Sequence, residues 1–326
     1  CDRFKIEIDS CGTWTVIQET LTSGAAYNAG FRKALRLDCT TADASPASAD
    51  AVIVSHRMEG QNLNVFKKGT SSAEKYTLAF WIKSNKTGTA QVNFTDEENT
   101  RMCSGQYTIS SADTWEKKII NIAADTSGAS ANDNTESIRI SWFFDAGSNF
   151  TSGAVPTAWE STSAGDKSVS DLALADNTNN DVAITGVQLE VGEFSSTTIP
   201  PFQFETHEEN LQRCLRYYYR ANGRCGFGAG TGFVQDGDVK AYIYHTMPVA
   251  PRTEFSFSLS GTSGAIITID GNAGDDVQSI SSIHADSFPF KDYEFNFVTD
   301  GSSITDKAGM GIRINASNFI ECDAEL

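Results

Sequence analysis

Alternation of apolar and polar residues with a period of two is the feature that most constrains this fold. The clearest example is YTLAFWIKS at residues 76–84, where Leu78, Phe80 and Ile82 fall on one side and Trp81 on the other. Successive side chains of a β-strand point to opposite faces of a sheet, so this period predicts a strand. The chain is therefore expected to bury its apolar residues between sheets.

The same pattern recurs through the first two hundred residues, separated by clusters of Ser, Thr, Gly, Asn and Asp. The predicted strands are RKALRLDC (32–39), AVIVSHR (51–57), YTLAFWIKS (76–84), TAQVNFT (89–95), WEKKIINIA (115–123), SIRISWFFDAG (137–147) and VAITGVQLEVG (182–192). In SIRISWFFDAG, the inward residues are expected to be Ile138, Ile140, Trp142 and Phe144, and the outward residues Arg139, Ser141 and Phe143. Many short strands joined by turns predict an antiparallel sandwich or jelly roll.

The alternation stops after Gly192. Two prolines within residues 199–202 favour an extended segment. Thr206 lies three residues before Glu209, the spacing of a helix capping box, so a short helix is predicted to begin there. Its apolar residues, expected to form a buried stripe, are Leu211, Cys214 and Leu215.

Strand patterns return after residue 220 as VKAYIYHT, EFSFSLS, AIITID, YEFNFVT and GIRINAS. A chain of 326 residues is long enough for two cores. We predict an all-β protein with an N-terminal jelly roll over residues 1–198 and a smaller C-terminal β-sandwich over 214–326. A proline-containing linker and the short helix, residues 199–213, are expected to join them.

Charge excludes some partners. The formal net charge is −17, which disfavours binding to duplex nucleic acid or to an anionic membrane surface. No apolar run approaches the length of a membrane-spanning helix, so membrane insertion is not expected. The 7 cysteines are widely spaced and form no CxxC pair, which favours buried thiols and assembly in a reducing compartment. Cys214 and Cys225 are the only pair whose sequence spacing suggests a disulfide.

No nucleophile elbow, zinc-protease helix or phosphate-binding loop occurs, and we expect no enzymatic activity. Carboxylate pairs are abundant in an acidic chain, but nothing distinguishes one pair as catalytic. A calcium site is one interpretation of a loop whose oxygen-bearing side chains are Asp176, Asn177, Asn179, Asn180 and Asp181. These residue types are also common in ordinary turns. The predicted calcium ligands are Asp176 and Asp181, and no other cofactor is predicted.

Sugar recognition uses aromatic rings and planar polar side chains. The candidates are Trp81, Arg139 and Gln188, which lie on outward phases of their strands, and Trp159 in a long loop. The alternatives are that loops or a neighbouring subunit cover these faces, and that Trp159 anchors its loop. Two long loops, at 123–136 and 145–181, are expected places for binding residues. The alternative for the first loop is a solvent-exposed surface segment without a binding role.

Several segments together resemble bacteriophage tail-fibre and related virion structural proteins. They are DRF (2–4), YTLAFWIKS (76–84), DTWEKKIINIA (113–123), ITGVQLEVG (184–192), ENLQRCLRYYYR (209–220) and DAEL (323–326). The QLE-x-G strand followed by L-x-R-C-x-R-Y-Y is the most specific of these matches. The resemblance covers nearly the whole chain.

This resemblance implies a virion component whose first domain is similar to the jelly roll of carbohydrate-binding modules. It implies an external location on the particle, contacts with other virion proteins and its own copies, often as a homotrimer, and binding to host surface glycans. No catalytic residue is implied. Two alternatives remain open: a capsid decoration or purely structural fibre element, and a secreted bacterial carbohydrate-binding module. A third, a polysaccharide depolymerase, is disfavoured because such proteins usually contain a repeat-built solenoid, and the sequence shows no tandem period.

Overall fold

A computed structural model describes residues 4–222, 233–234, 240–253, 255–259, 265–269, 277–284, 292–299, 310–314 and 319–325. The chain divides into two compact units, Arg3–Phe204 and Glu205–Leu326. Residues 199–204, predicted as linker, make their contacts within the first unit. No helix in the described part of the chain is long and apolar enough to cross a membrane.

The first unit is built from strands in two antiparallel sheets. Its strands are β1 (Phe4–Asp9), β2 (Thr13–Thr20), β3 (Lys33–Thr41), β4 (Ala51–Glu59), β5 (Tyr76–Ser84), β6 (Gly88–Asp96), β7 (Arg101–Ile109), β8 (Glu116–Ile122), β9 (Glu136–Ala146), β10 (Glu160–Ser161) and β11 (Asp181–Val191). The six-stranded sheet has the order β1-β4-β9-β6-β7-β10, and the five-stranded sheet has the order β2-β3-β11-β5-β8. The predicted all-β sandwich is thereby confirmed for this unit. Strand β7, RMCSGQYTI, was not predicted.

The core lies between these two sheets, as the alternation predicts. Its largest fully buried side chains are Trp142, Tyr76, Phe80, Phe94, Phe144, Leu37, Leu63 and Leu78. The inward residues of β9, from Ile138 to Phe144, all belong to this cluster. Burial of such side chains contributes roughly 1.5–3 kcal/mol each, which makes this core the main source of stability.

The outer face of the six-stranded sheet is covered, contrary to the simple expectation for its outward residues. Phe143 is only 4% exposed and packs with Ala51, Ile53 and Phe150. The cover is the second predicted long loop, which contains helix α2 (Ser148–Thr151) and two single-turn 3-10 helices. It is joined to the sheet by hydrogen bonds such as the one from Gln91 Nε2 to the carbonyl of Asp166, 2.6 Å.

The first predicted long loop, residues 123–136, is largely exposed, as the solvated interpretation predicts, but it is anchored by buried residues. Asp125 is 1% exposed and accepts hydrogen bonds from Lys68 Nζ at 3.1 Å and Arg101 Nε at 3.1 Å. The carbonyl of Gly128 accepts a further bond from Lys68 at 2.8 Å. A buried charge needs such partners to offset its desolvation, and they fix this loop to strands β6 and β7.

The predicted helix is present as α3 (His207–Leu215), and its capping box is formed. Glu209 N–H donates to Thr206 Oγ1 at 3.2 Å, and Thr206 N–H donates to Glu209 Oε2 at 3.0 Å. The predicted buried stripe is wrong: no residue of α3 is buried, and Leu211 is 46% exposed. The helix is stabilised instead by its cap and by an ion pair between Arg213 and Glu205, 2.6 Å.

The second unit is also composed of strands where it is described. They are β12 (Tyr218–Asn222), β13 (Phe233–Val234), β14 (Lys240–Thr246), β15 (Ser256–Leu259), β16 (Ala265–Ile269), β17 (Val277–His284), β18 (Asp292–Thr299), β19 (Met310–Ile314) and β20 (Phe319–Asp323). They pair as β12-β20-β15, β13-β14-β18-β17 and β16-β19. The five strand patterns predicted after residue 220 are confirmed as β14, β15, β16, β18 and β19, whereas β13, β17 and β20 were not predicted. How these sheets pack, and Cys225, lie outside the described residues.

Four of the five described cysteines, Cys11, Cys39, Cys103 and Cys322, are buried thiols, as predicted. Burial raises the pKa of Cys322 to about 12 and that of Cys103 to about 11. A thiol kept protonated in this way is a small apolar group with little nucleophilic character.

Candidate functional site

The outer face of the five-stranded sheet carries six aromatic side chains, here called the outer aromatic cluster. Its members are Tyr27, Phe31, Trp81, Trp115, Phe202 and Phe204. Trp115 and Phe31 are buried, Tyr27, Trp81 and Phe202 are half-buried, and Phe204 is 59% exposed. The cluster is therefore an accessible apolar surface separate from the core between the sheets.

A loop between β2 and β3 folds back over the sheet and supplies Tyr27 and Phe31. It contains the one-turn helix α1 (Ala25–Asn28) and is closed by a hydrogen bond from Leu21 N–H to the carbonyl of Arg32, 2.9 Å. Gly24 and Gly30 have φ of 94° and 105°, values that favour glycine. These two turns direct the loop onto the sheet.

Phe31 lies over a bulge of β11 that only glycine allows. The register between β11 and β5 shifts between Thr185 and Gln188. Within this bulge Gly186 has φ of 59°, and an added Cβ would lie 2.5 Å from the ring of Phe31. Because Gly186 has no side chain, the Phe31 ring can pack directly on the backbone of β11 at this bulge.

The proline-containing segment completes this end of the cluster. The Phe202 ring centroid lies 4.9 Å from that of Phe31, and the Phe204 centroid lies 5.2 Å from it. Gln188 Nε2 donates to the carbonyl of Pro200 at 3.0 Å and holds the segment against β11. Edge-to-face and tilted ring pairs at these distances are favourable aromatic contacts.

Trp81 lies on β5, between β11 and the edge strand β8. In the register of β5 it lies directly opposite Thr185 of β11 on one side and Lys117 of β8 on the other. Facing residues of neighbouring strands have Cβ atoms about 5 Å apart, so all three side chains border the same patch. Trp81 is thus a half-buried ring with a hydroxyl and an ammonium group beside it.

The charged side chains of this face are mostly paired. Lys83 Nζ lies 2.8 Å from Glu19 Oε1 and 5.4 Å from the ring centroid of Trp115. Arg36 joins the same group, 2.7 Å from Asp38 and 3.2 Å from Asp181. Burial alone would lower the pKa of Arg36, but Asp181 and Asp38 raise it. These ion pairs hold the charged side chains of the outer face in fixed positions.

Arg32 and Lys117 differ from these residues. Arg32 stacks over the Tyr27 ring at 4.0 Å, and one of its nitrogens donates to the carbonyls of Tyr27 and Phe31. Lys117 is exposed on β8. Neither forms an ion pair with a carboxylate among the residues the structure describes. The outer aromatic cluster therefore has an unneutralised cation at Tyr27 and another at Trp81.

The four predicted glycan-binding residues are not brought together. Trp81 and Gln188 share the outer face of the five-stranded sheet, but Gln188 is 8% exposed and its amide is bonded to Pro200 and Glu190. Arg139 lies on the other sheet, where Glu136 at 2.6 Å and Glu97 at 3.3 Å occupy its guanidinium group. Binding by either residue stays a prediction.

Trp159 anchors its loop. Its indole N–H donates to the carbonyl of Ala123 at 2.8 Å, and its ring packs against the main core. Lys68 Nζ lies 4.7 Å from the ring centroid. These contacts correspond to the anchoring alternative, and sugar binding by this half-buried ring stays a prediction.

The two predicted calcium ligands are bound to different cations. Asp176 accepts a hydrogen bond from Lys86 Nζ at 2.5 Å, which lowers its pKa, whereas Asp181 pairs with Arg36. Burial raises the pKa of Asp181 despite that pairing. The described residues contain no group of three or more His, Cys, Asp or Glu side chains arranged for a metal ion. Calcium binding remains a prediction that requires both cations to move.

A second concavity of about 210 Å³ lies beside the β11 bulge, between Phe4 of β1 and residues of β2, β3 and β11. Its walls are mainly apolar, with Leu35, Ile184 and Val187 among them. None of the predicted binding residues lies in it.

The sequence pointed to Trp81 but not to its neighbours. Tyr27 and Phe31 stand in a stretch that does not alternate, next to glycines at 24 and 30. Aromatic residues in a glycine-containing loop between two strands are a usable signal for a loop packed on a sheet. Lys117 carried no such signal, because its position depends on the pairing of β8 with β5.

Comparison with known proteins finds only remote similarity. No protein-family model and no curated protein matches the chain. Among solved structures, the enzymatically active domain of bacteriophage CBA120 tailspike protein 4 is 12% identical with a TM-score of 0.32, over 58% of this chain and 19% of that one. A family 11 carbohydrate-binding module of Clostridium thermocellum is 7% identical with a TM-score of 0.29, over 59% and 88%.

A third match, the module TmCBM61 in complex with β-1,4-galactotriose, is 11% identical with a TM-score of 0.28, over 58% and 88%. The structural similarity to carbohydrate-binding modules and to a phage tailspike domain is distant. At these scores it carries no inference about a ligand. The chain spans only about a fifth of the tailspike domain that it matches.

Proposed function

We propose that the first unit is a non-catalytic glycan-binding module and that the chain is an external structural protein of a bacteriophage particle. The observation that carries the first part is Trp81, a half-buried ring on a sheet face with Thr185 and Lys117 beside it. The Thr185 hydroxyl donates to the carbonyl of Lys33 at 2.7 Å and can accept a bond from a sugar hydroxyl, whereas the Lys117 ammonium group can donate one. An aromatic ring with such polar groups beside it suits the apolar faces and polar edges of sugars. The second part is supported by the sequence resemblance to virion proteins.

The chemistry of the face supports binding rather than bond cleavage. Glu19, a carboxylate on this face, lies 2.8 Å from Lys83 and 3.9 Å from Arg36, an arrangement typical of structural ion pairs. Weak contacts at one ring would gain affinity from display in several copies, which raises avidity roughly a hundredfold or more without new contacts. A homotrimer on the virion would supply such display.

Replacement of the central ring tests the proposal. The full chain and its Trp81→Ala and Trp81→Phe variants would be applied to a glycan array. We expect Ala to abolish retention and Phe to preserve part of it, because Phe keeps an aromatic ring. Val65→Ala is a matched control, since Val65 is a 58% exposed apolar residue outside the cluster. Unchanged retention of a correctly folded Trp81→Ala variant would contradict the proposal.

A second candidate, a purely structural role between subunits, is favoured by strand β2. It is an edge strand of the five-stranded sheet, and Val16 and Ile17 are 42% and 38% exposed. An exposed apolar edge is a common site of strand pairing between chains. Ile17→Lys should lower the oligomeric mass measured by light scattering if this edge joins subunits. Loss of the oligomer combined with no glycan retention by the wild type would favour this role.

A further inference from the structure

The charges around the outer aromatic cluster indicate what kind of sugar it would bind. We infer that the site prefers glycans bearing carboxylate groups, such as uronic or sialic acids, over neutral glycans. This inference rests on the proposed glycan-binding function and adds the ligand class. The juxtaposition that carries it is an unneutralised cation beside each of two half-buried rings, Arg32 at Tyr27 and Lys117 at Trp81.

Unneutralised cations are unusual in this unit. In a chain with a formal net charge of −17, most described lysines and arginines of the first unit are paired with a carboxylate, including Lys83 and Arg36 of the same face. Within the part of the chain that the structure describes, Arg32 and Lys117, like Lys33 and Lys167, have no such partner, and of these four only Arg32 and Lys117 adjoin the half-buried rings Tyr27 and Trp81. An anionic group of a ligand would neutralise these two cations.

The guanidinium group of Arg32 is preorganised for this role. Its position is fixed by the stack on Tyr27 at 4.0 Å and by bonds of 2.9 Å and 3.0 Å from one nitrogen to two carbonyls. An arginine has five N–H donors in a rigid planar fork, so donors remain to bind a carboxylate. Little side-chain entropy is lost on binding, because the fork is already held.

Lys117 supplies a second anchor at a defined distance from a ring. It faces Trp81 across one strand spacing, so its ammonium group can contact a substituent of a sugar packed on the indole. A sugar that carries a carboxylate could stack its ring on Trp81 and form an ion pair with Lys117 at the same time. A neutral sugar would satisfy only the ring.

The overall acidity does not prevent this preference. Exposed charges farther apart than the Debye length, about 8 Å at physiological ionic strength, are largely screened. A ligand packed on Tyr27 or Trp81 would contact the adjacent cation directly, and this attraction would therefore dominate locally. Because these cations are exposed, we expect each to contribute a few-fold in affinity rather than orders of magnitude.

The experiment compares acidic glycans with their carboxyl-reduced counterparts, which keep the same rings and linkages but carry alcohols. Binding of the full chain is measured by calorimetry for each pair that the glycan array identifies, at low and high ionic strength. We expect tighter binding to the acidic member and weaker binding at high ionic strength. Lys117→Gln should lower affinity for the acidic member about three- to five-fold and leave the reduced member unaffected.

Two variants separate the possible failures. Lys75→Gln is the control for loss of one positive charge. Lys75 immediately precedes β5 and is ion-paired with Glu193, so its replacement should not alter binding. If acidic and reduced members bind equally and Trp81→Ala abolishes both, the preference is wrong and the glycan-binding function stands. If the wild type binds no glycan, the proposed function and the preference both fail. Equal losses from Lys75→Gln and Lys117→Gln would also overturn the inference.

Discussion

Lys68 Nζ lies 2.7 Å from a carboxylate oxygen of Asp96, and the two side chains are 1% and 0% exposed. Asp125 and the carbonyl of Gly128 complete the environment of the ammonium group at 3.1 Å and 2.8 Å. Burial alone would raise the pKa of Asp125, but Arg101, Ser127 and Lys68 together lower it. This buried ion group connects the segment that follows the 3-10 helix Asn64–Phe66 with β6 and with the loop at 123–136.

Removal of the cation is expected to be strongly destabilising. Lys68→Met leaves Asp96 and Asp125 buried with less compensation, and we expect the free energy of unfolding to fall by about 3–5 kcal/mol. Urea denaturation at neutral pH measures the change. Lys67→Met is the control: Lys67 is exposed and ion-paired with Glu74, so its loss should cost about 1 kcal/mol or less. Equal effects of the two variants would contradict the assignment.

Gly186→Ala is expected to disturb the seat of Phe31. The residue has φ of 59°, and the new methyl group would lie 2.5 Å from the Phe31 ring. Strain of this kind costs about 1–3 kcal/mol, which thermal unfolding would detect. The double variant Gly186→Ala with Phe31→Leu should recover part of the loss relative to the two single variants, because the smaller side chain makes room. Strict additivity would show that the clash is not the cause.

The contribution of Asp145 to stability should fall as pH rises towards its pKa in the folded protein. Burial, opposed by a hydrogen bond from Ala175 N–H, raises the pKa of Asp145 from 3.8 to about 6. The folded protein therefore binds this proton more tightly than the unfolded chain does. The contribution is fully present below about pH 4 and is lost as pH approaches 6, a change of roughly 3 kcal/mol at most.

The Asp145→Asn variant should remove this pH dependence. It is expected to be about 1–2 kcal/mol more stable than the wild type at pH 7, because the amide can accept the Ala175 bond without a buried charge. Chemical denaturation at several pH values measures both effects. Asp9→Asn, at an exposed position, is the control. A wild type and Asp145→Asn variant with parallel pH profiles would show that Asp145 is not the titrating group.

Thr206→Ala should weaken the start of α3. Alanine removes the hydroxyl that accepts the bond from Glu209 N–H but keeps the backbone N–H that donates to Glu209, and loss of such a capping side chain costs about 1 kcal/mol. Amide hydrogen exchange within the helix should accelerate accordingly. Thr206→Ser retains the hydroxyl and should leave exchange nearly unchanged. Faster exchange in both variants would mean that the methyl group, not the cap, stabilises the helix.

The sequence alone was sufficient to locate most strands and to assign their faces. Leu78 and Trp142 are buried where the two-residue period places them, and Thr206 caps the helix that its spacing with Glu209 predicts. These features depend on residues a few positions apart. Strand geometry and capping are local, so a single chain read in order contains them.

The tertiary structure decided which outward residues reach solvent. Gln188 is covered by Pro200, Gln91 is bonded to Asp166, and Lys68, in a turn-like KKGT sequence, is buried beside Asp125. Alternation specifies which face of a sheet a side chain occupies, but not what packs on that face. That packing depends on loops distant in sequence and on strand register, which place Trp81 beside Lys117 and bond the Trp159 indole to the carbonyl of Ala123.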